Sequence, residues 1–153
     1  MLELALPVID PSFNLLPVPD KELSGRYAET RPYEHAIYVK ESVYDAAIRG
    51  GGQARMILAH ELAHYLYHSP REISFAYVNR NERLDSNVDP ERQADIFAAE
   101  FLAPSGELRG LSVSDVQRKF GVSALAAKNQ LRQASNIARR HASKKKRRSG
   151  PKA

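Results

Sequence analysis

Two strand-like stretches set among helical runs predict an α+β fold for this 153-residue chain. Residues 35–40, His-Ala-Ile-Tyr-Val-Lys, and residues 73–78, Ile-Ser-Phe-Ala-Tyr-Val, carry the β-branched and aromatic content of short strands. Helical runs are expected over 41–49, about 53–68 and about 90–103, each stopped by Gly or Pro. A last helical region over 112–140, broken near Gly121-Val122-Ser123, reads as a C-terminal helical pair. The expected architecture is a small sheet packed on a long helix, with a second helix beside it and the pair following. At 42% hydrophobic residues the chain can build a core, and its length suits one domain.

Taken in order, residues 7–20 contain Pro7, Pro11, Pro17 and Pro19 among apolar residues, which predicts an extended arm packed on the body. Gly50-Gly51-Gly52 ends the first helix, and Ser69-Pro70 ends the second. Residues 79–88 are polar and loop-like. Asp89-Pro90 starts the third helix, because Asp caps and Pro suits the first helical position. Pro104 ends it. Expected boundaries are a core over 1–110, a helical extension over 111–138 and a basic, disordered tail over 139–153.

The formal charge of +5 divides unevenly. Residues 139–153 hold eight Lys/Arg and no acid, which leaves 15 basic against 18 acidic residues elsewhere, a net −3. The tail, with Lys144, Lys145, Lys146, Arg147 and Arg148, would attract phosphates non-specifically and in a salt-dependent way. The acid at Glu3 and the early Pro7 oppose a signal peptide, and the apolar stretches are too short to span a bilayer. A soluble, cytoplasmic protein without membrane contact is expected. The absence of cysteine excludes a disulfide scaffold, an all-cysteine zinc site, an iron–sulfur cluster and a cysteine nucleophile.

The chemistry centres on His60-Glu61-Leu62-Ala63-His64. Positions i and i+4 share a helix face, so both imidazoles can bind one metal ion with Glu61 beside its water. Leu58, Leu62, Tyr65 and Leu66 are expected to cover the core side. His68 lies eight residues beyond His60, roughly 12 Å along the axis, which is too far for a shared ligand set. It suits the helix end, where a cation complements the dipole.

A third ligand must come from elsewhere, and Glu91 is the best candidate. It opens Glu91-Arg92-Gln93-Ala94-Asp95, which places Glu91 and Asp95 one turn apart. Ala94, Ala98 and Ala99 would let this helix approach the first closely, with Phe97 and Phe101 as core anchors. Asp95 could then accept a hydrogen bond from a ligand histidine's other nitrogen.

Residues 54–68, Ala-Arg-Met-Ile-Leu-Ala-His-Glu-Leu-Ala-His-Tyr-Leu-Tyr-His, resemble the active-site helix of the ImmA/IrrE metallopeptidase family. Residues 91–104, Glu-Arg-Gln-Ala-Asp-Ile-Phe-Ala-Ala-Glu-Phe-Leu-Ala-Pro, resemble its second motif. The similarity covers roughly residues 30–135. Many relatives have Gly at Ala63 and Met at Ala103. The resemblance implies a compact zincin-like core and a gluzincin-type endopeptidase with one Zn2+. It implies His60, His64 and Glu91 as ligands, Glu61 as general base, and Asp95 as the residue orienting His60. Residues 35–40 would be the sheet edge where a substrate strand adds. Tyr38, Tyr77 and His68 are candidates for stabilising the oxyanion or touching substrate. The implied partner is a protein substrate, a transcriptional regulator or an antitoxin.

Residues 111–131 read as helix–turn–helix text, with Ser123 capping the second helix and a small core of Val113, Val116, Phe120, Val122, Leu125, Ala126 and Leu131. Packing of this pair on the core is favoured over DNA binding. The alternative function is a non-catalytic regulatory or toxin–antitoxin component that binds protein or DNA through these helices and the tail. Retention of Glu61 argues for catalysis.

Overall fold

The computed structural model describes residues 7–8, 10–67 and 89–148, with side chains through Arg140. The elements are β1 (Asn14–Val18), β2 (Ala28–Arg31), β3 (Ala36–Lys40), α1 (Glu41–Ile48), α2 (Gly52–Tyr67), α3 (Pro90–Leu102), α4 (Val113–Phe120) and α5 (Ala124–Arg148). Short 3-10 turns cover Asp20–Leu23, Pro32–Glu34 and Ser105–Glu107. The fold is α+β.

The sheet order is β1-β3-β2. β1 runs parallel to β3 with Leu15 opposite Ile37, and β2 runs antiparallel with Thr30 opposite Ile37. Residues 35–40 were expected at the sheet edge, but β3 is its centre. The physical reason lies in two partners that sequence periodicity did not reveal. β1 arises from the proline-rich arm: an edge strand tolerates Pro17, whose missing N–H leaves no orphan in a central ladder. β2 has only four residues, too few for a visible alternation. The expected strand at 73–78 and the loop at 79–88 lie outside the described residues.

Alternation along β3 sends Ile37 and Val39, both fully buried, toward the helices. Ile37 packs with Phe13 and Leu62, while Val39 packs with Ala28, Val43 and Ala54. Each such side chain contributes on the order of 1.5–3 kcal/mol by leaving water. On α2, Leu62 is buried as expected and Leu58 and Tyr65 pack partly. Leu66 is exposed instead, since it lies one turn past Leu62 where the core ends.

α2 and α3 make the most extensive contact between any two elements. Ala59 and Ala63 on α2 and Ala94 and Ala98 on α3 are all buried, and their small volumes permit the close crossing. Asp89 caps α3 by accepting from the Glu91 N–H. Phe97 joins the core, whereas Phe101, expected beside it, is half exposed and stacks on Phe97 instead.

The C-terminal pair shares a core with the end of α3. Ala103, Leu108, Val116, Val122 and Ala127 are buried together, with Val113, Phe120, Ala126 and Leu131 packed around them. Leu125 was expected in this core but is exposed, because Ala127 takes the inward position in the first turn of α5. Ser112 and Asp115 form a capping box on α4, and Gly121 ends it at φ +62°, where a Cβ would be strained. Ser123 caps α5 by accepting from the Ala126 N–H. Helix continues to Arg148, across residues 139–148 where disorder was expected. Ala, Lys and Arg are strong helix formers, and cations suit a helix C-terminus.

Candidate metal centre

Three side chains from two helices converge beside β2. The i, i+4 spacing on α2 brings His60 Nε2 and His64 Nε2 to 3.0 Å. Glu91, on the first turn of α3, places Oε2 at 3.3 Å from His60 Nε2 and Oε1 at 3.4 Å from His64 Nε2. The two histidines are about one-fifth exposed, while Glu91 is 73% exposed. Among the described residues, these form a cluster whose ligand-capable atoms all lie within 4.8 Å of one another.

The donor set fits a tetrahedral cation. Zinc bonds of about 2.0–2.1 Å place neighbouring ligand atoms roughly 3.3–3.4 Å apart. His60 Nδ1 lies 2.9 Å from Asp95 Oδ1. A carboxylate only accepts, so Nδ1 carries a proton, and in the neutral form of the ring Nε2 turns a bare lone pair into the cluster. That lone pair faces a carboxylate and a second imidazole nitrogen. A cation relieves the resulting crowding of electron pairs.

Glu61 stands beside the cluster, turned toward β2. The Thr30 hydroxyl lies 2.7 Å from Glu61 Oε2 and 2.9 Å from the Glu61 carbonyl oxygen. Thr30 faces α2 because it alternates with Glu29 and Arg31 along β2, whose side chains pair on the other side. Thr30 is a site residue that sequence reading missed. Its only local signal was an unremarkable Ala-Glu-Thr-Arg stretch. A cleft of about 410 Å³ opens here, lined in part by residues of β2, Thr30 among them, and by His60, Glu61, His64 and Glu91.

A second hydrogen-bonded group holds α2 from its far side. Tyr65 donates its hydroxyl to Asp10 Oδ2, and His35 Nδ1 lies 2.8 Å from the same oxygen. The Tyr65 bond, then the His35 bond, hold the Asp10 carboxyl down at about 2. Burial and the Asp10 bond push the Tyr65 phenol up.

The structure thus brings His60, Glu61, His64, Glu91 and Asp95 together. It does not bring Tyr38 to the cleft. Tyr38 alternates with the inward-facing Ile37 and Val39, so its hydroxyl binds Glu34 at 2.6 Å and Arg31 covers its ring. His68 and Tyr77 lie outside the described residues. The side chains of Lys144, Lys145, Lys146, Arg147 and Arg148 do as well.

The family model for the peptidase-type IrrE N-terminal-like domain matches residues 16–132. The chain belongs to this family. The match begins in β1, includes both motif-bearing helices and ends within α5, so the family domain spans the cleft and the turn of the helical pair. No match was found among curated proteins or solved structures. Family membership supports a metallopeptidase-type function, and a peptidase domain implies a protein substrate. Among the described residues, no helix is long and apolar enough to cross a membrane.

Proposed function

We propose that this chain is a zinc-dependent endopeptidase that cleaves a specific regulatory protein of the repressor or antitoxin type. The observation that carries the reading is the convergence of His60 Nε2, His64 Nε2 and the Glu91 carboxylate at 3.0–3.4 Å, with Glu61 alongside. His60, His64 and Glu91 would hold Zn2+, and Asp95 would fix the His60 tautomer. A zinc ion bound there would supply Lewis acidity toward water and the scissile carbonyl.

The other steps belong to the chain itself. Glu61 takes a proton from the attacking water and returns it to the departing amine. Thr30 donates to one Glu61 oxygen, which leaves the second to carry the proton. The substrate strand adds along β2 rather than β3. Among the described residues β2 pairs on one side only, and Ala28, Glu29 and Thr30 line the cleft. The narrow regulatory target is what the family resemblance implies. The helical pair is read as part of the catalytic body. Arg55 donates to the Phe120 and Gly121 carbonyls, and the buried Gln130 donates to Glu100 Oε2 and the Ala103 carbonyl.

Two variants test the proposal. Purified wild type is expected to carry about one zinc per chain and His60→Ala essentially none. Zinc in neither protein would overturn the metal assignment. Glu61→Gln is expected to keep zinc yet generate no new protein termini in a source-cell proteome where wild type does. Equal termini from both would remove Glu61 from the chemistry.

A further inference from the structure

A second concavity, of about 750 Å³, is lined by residues of α2, α3 and α5. Arg92 lines it from α3, and Arg132 and Arg140 line it from α5. None of the three has an ion-pair or hydrogen-bond partner among the described residues. Among the described residues, the only acid in the lining is Asp95, already engaged by His60. Three cations against one acid leave a net +2 in the groove. A single unpaired surface arginine needs no explanation, but three lining one groove concentrate positive potential there.

The groove also carries apolar side chains. Met56, Ile96 and Ile137 contribute to its walls, and Ile96 and Ile137 are 43% and 38% exposed. Asn129, Gln133 and Asn136 add amide groups along α5. The lining of α5 runs from Leu125 to Arg140, roughly 22 Å, or four helical turns. Arg132 and Arg140 are eight residues apart, about 12 Å along the axis.

We propose that this groove docks an acidic, amphipathic helix of a protein partner. Apolar residues of that helix would sit on Ile96 and Ile137, and acids two turns apart would meet Arg132 and Arg140. Arg92 would clasp the helix from the opposite wall. The apolar side chains in the lining favour a peptide over a nucleic-acid backbone, whose affinity is dominated by charge. α5 itself contains no Asp or Glu, so the α5 of a second copy would be repelled. His60, Glu61, His64 and Glu91 do not line this groove, although Asp95 does, so peptide binding can be read apart from hydrolysis.

The test uses the full chain carrying Glu61→Gln, so that binding is read without cleavage. The probe is a labelled amphipathic helical peptide of roughly 18 residues, with a Leu face and Glu pairs two turns apart. A scrambled peptide of the same composition and a short DNA duplex serve as comparators. The designed peptide is expected to bind at least tenfold tighter than the scrambled one. Arg132→Glu with Arg140→Glu, or Ile137→Asp alone, should each weaken it at least tenfold. Arg92→Glu gives the same reading from the other wall should an α5 variant lose its fold, as judged by thermal melting. Equal binding of both peptides would overturn the proposal in favour of non-specific attraction to the basic end. So would unchanged affinity in Ile137→Asp, or DNA that binds tighter than the designed peptide and is lost in the same variants.

Discussion

The first turn of α2 meets the α4–α5 turn backbone to backbone, whereas its cleft-facing residues eight positions later meet their neighbours through polar side chains. At Gly52 a Cβ would stand 2.5 Å from backbone atoms of Val122 and Ser123. Arg55, one turn on, donates to two carbonyls of that same connection at 2.9 and 3.1 Å. At His60, Glu61 and His64 the contacts are instead hydrogen bonds and ion-pair distances to Asp95, Thr30 and Glu91. One end is built for position and the other for chemistry. The close-packed end supports the orientation of the helix that carries His60, Glu61 and His64. The polar end keeps its lone pairs gathered at a partly exposed cleft, where they add little to folding.

That contrast can be broken by substitutions at each end. Gly52→Val should have the largest effect on stability, about 3 kcal/mol, because backbone atoms of the α4–α5 turn cannot yield as a flexible side chain would. Chemical denaturation would show this as a lower midpoint, and an unchanged midpoint would mean that the two backbones separate freely. Asp95→Ala should come next, with zinc affinity reduced about 10–100-fold and the metal-free fold little changed. Competitive chelator titration checks the first part. Glu61→Gln should shift the stability of the metal-free protein by only about 0.5 kcal/mol, since Gln can still accept from Thr30.

The smallest effect concerns Asp10. Its carboxyl is held down at about 2 in the folded chain against 3.8 ordinarily, so the ionised form is the one the fold favours. The stabilisation is therefore fully present above pH 3.8 and fades as pH falls toward 2. Asp10→Asn should lower the melting temperature at neutral pH, and the gap from wild type should close across that interval. A gap that persists unchanged at pH 2 would assign the effect to shape rather than charge.

Most of the candidate site was legible because helical spacing is rigid. Two histidines at i and i+4 must share a face, and the same holds for Glu91 and Asp95. Family resemblance then supplied the order of the two helices, and small alanines supplied a reason for their close approach. Thr30 was not legible, because nothing local marks one threonine in a four-residue strand as the neighbour of Glu61. The placement of β3 escaped for a related reason. Its own alternation described a strand correctly but carried no information about how many partners flank it. Phe101 and Leu125 show the limit of counting apolar residues, since both belong to the right helices but lie off the buried face.

By itself, then, the sequence determined the helices, their caps and the donor types, all of which depend on contacts within a few residues. Asp89 before Pro90, Ser112 with Asp115, and Gly121 act through the backbone beside them. Tertiary structure decided which strand lines the cleft, that Tyr38 faces away from it, that Thr30 holds Glu61, and that the helical pair is bonded to α2. Those outcomes depend on pairings between residues far apart in the chain, such as Thr30 with Glu61 and Arg55 with Gly121, and local patterns carry no record of them.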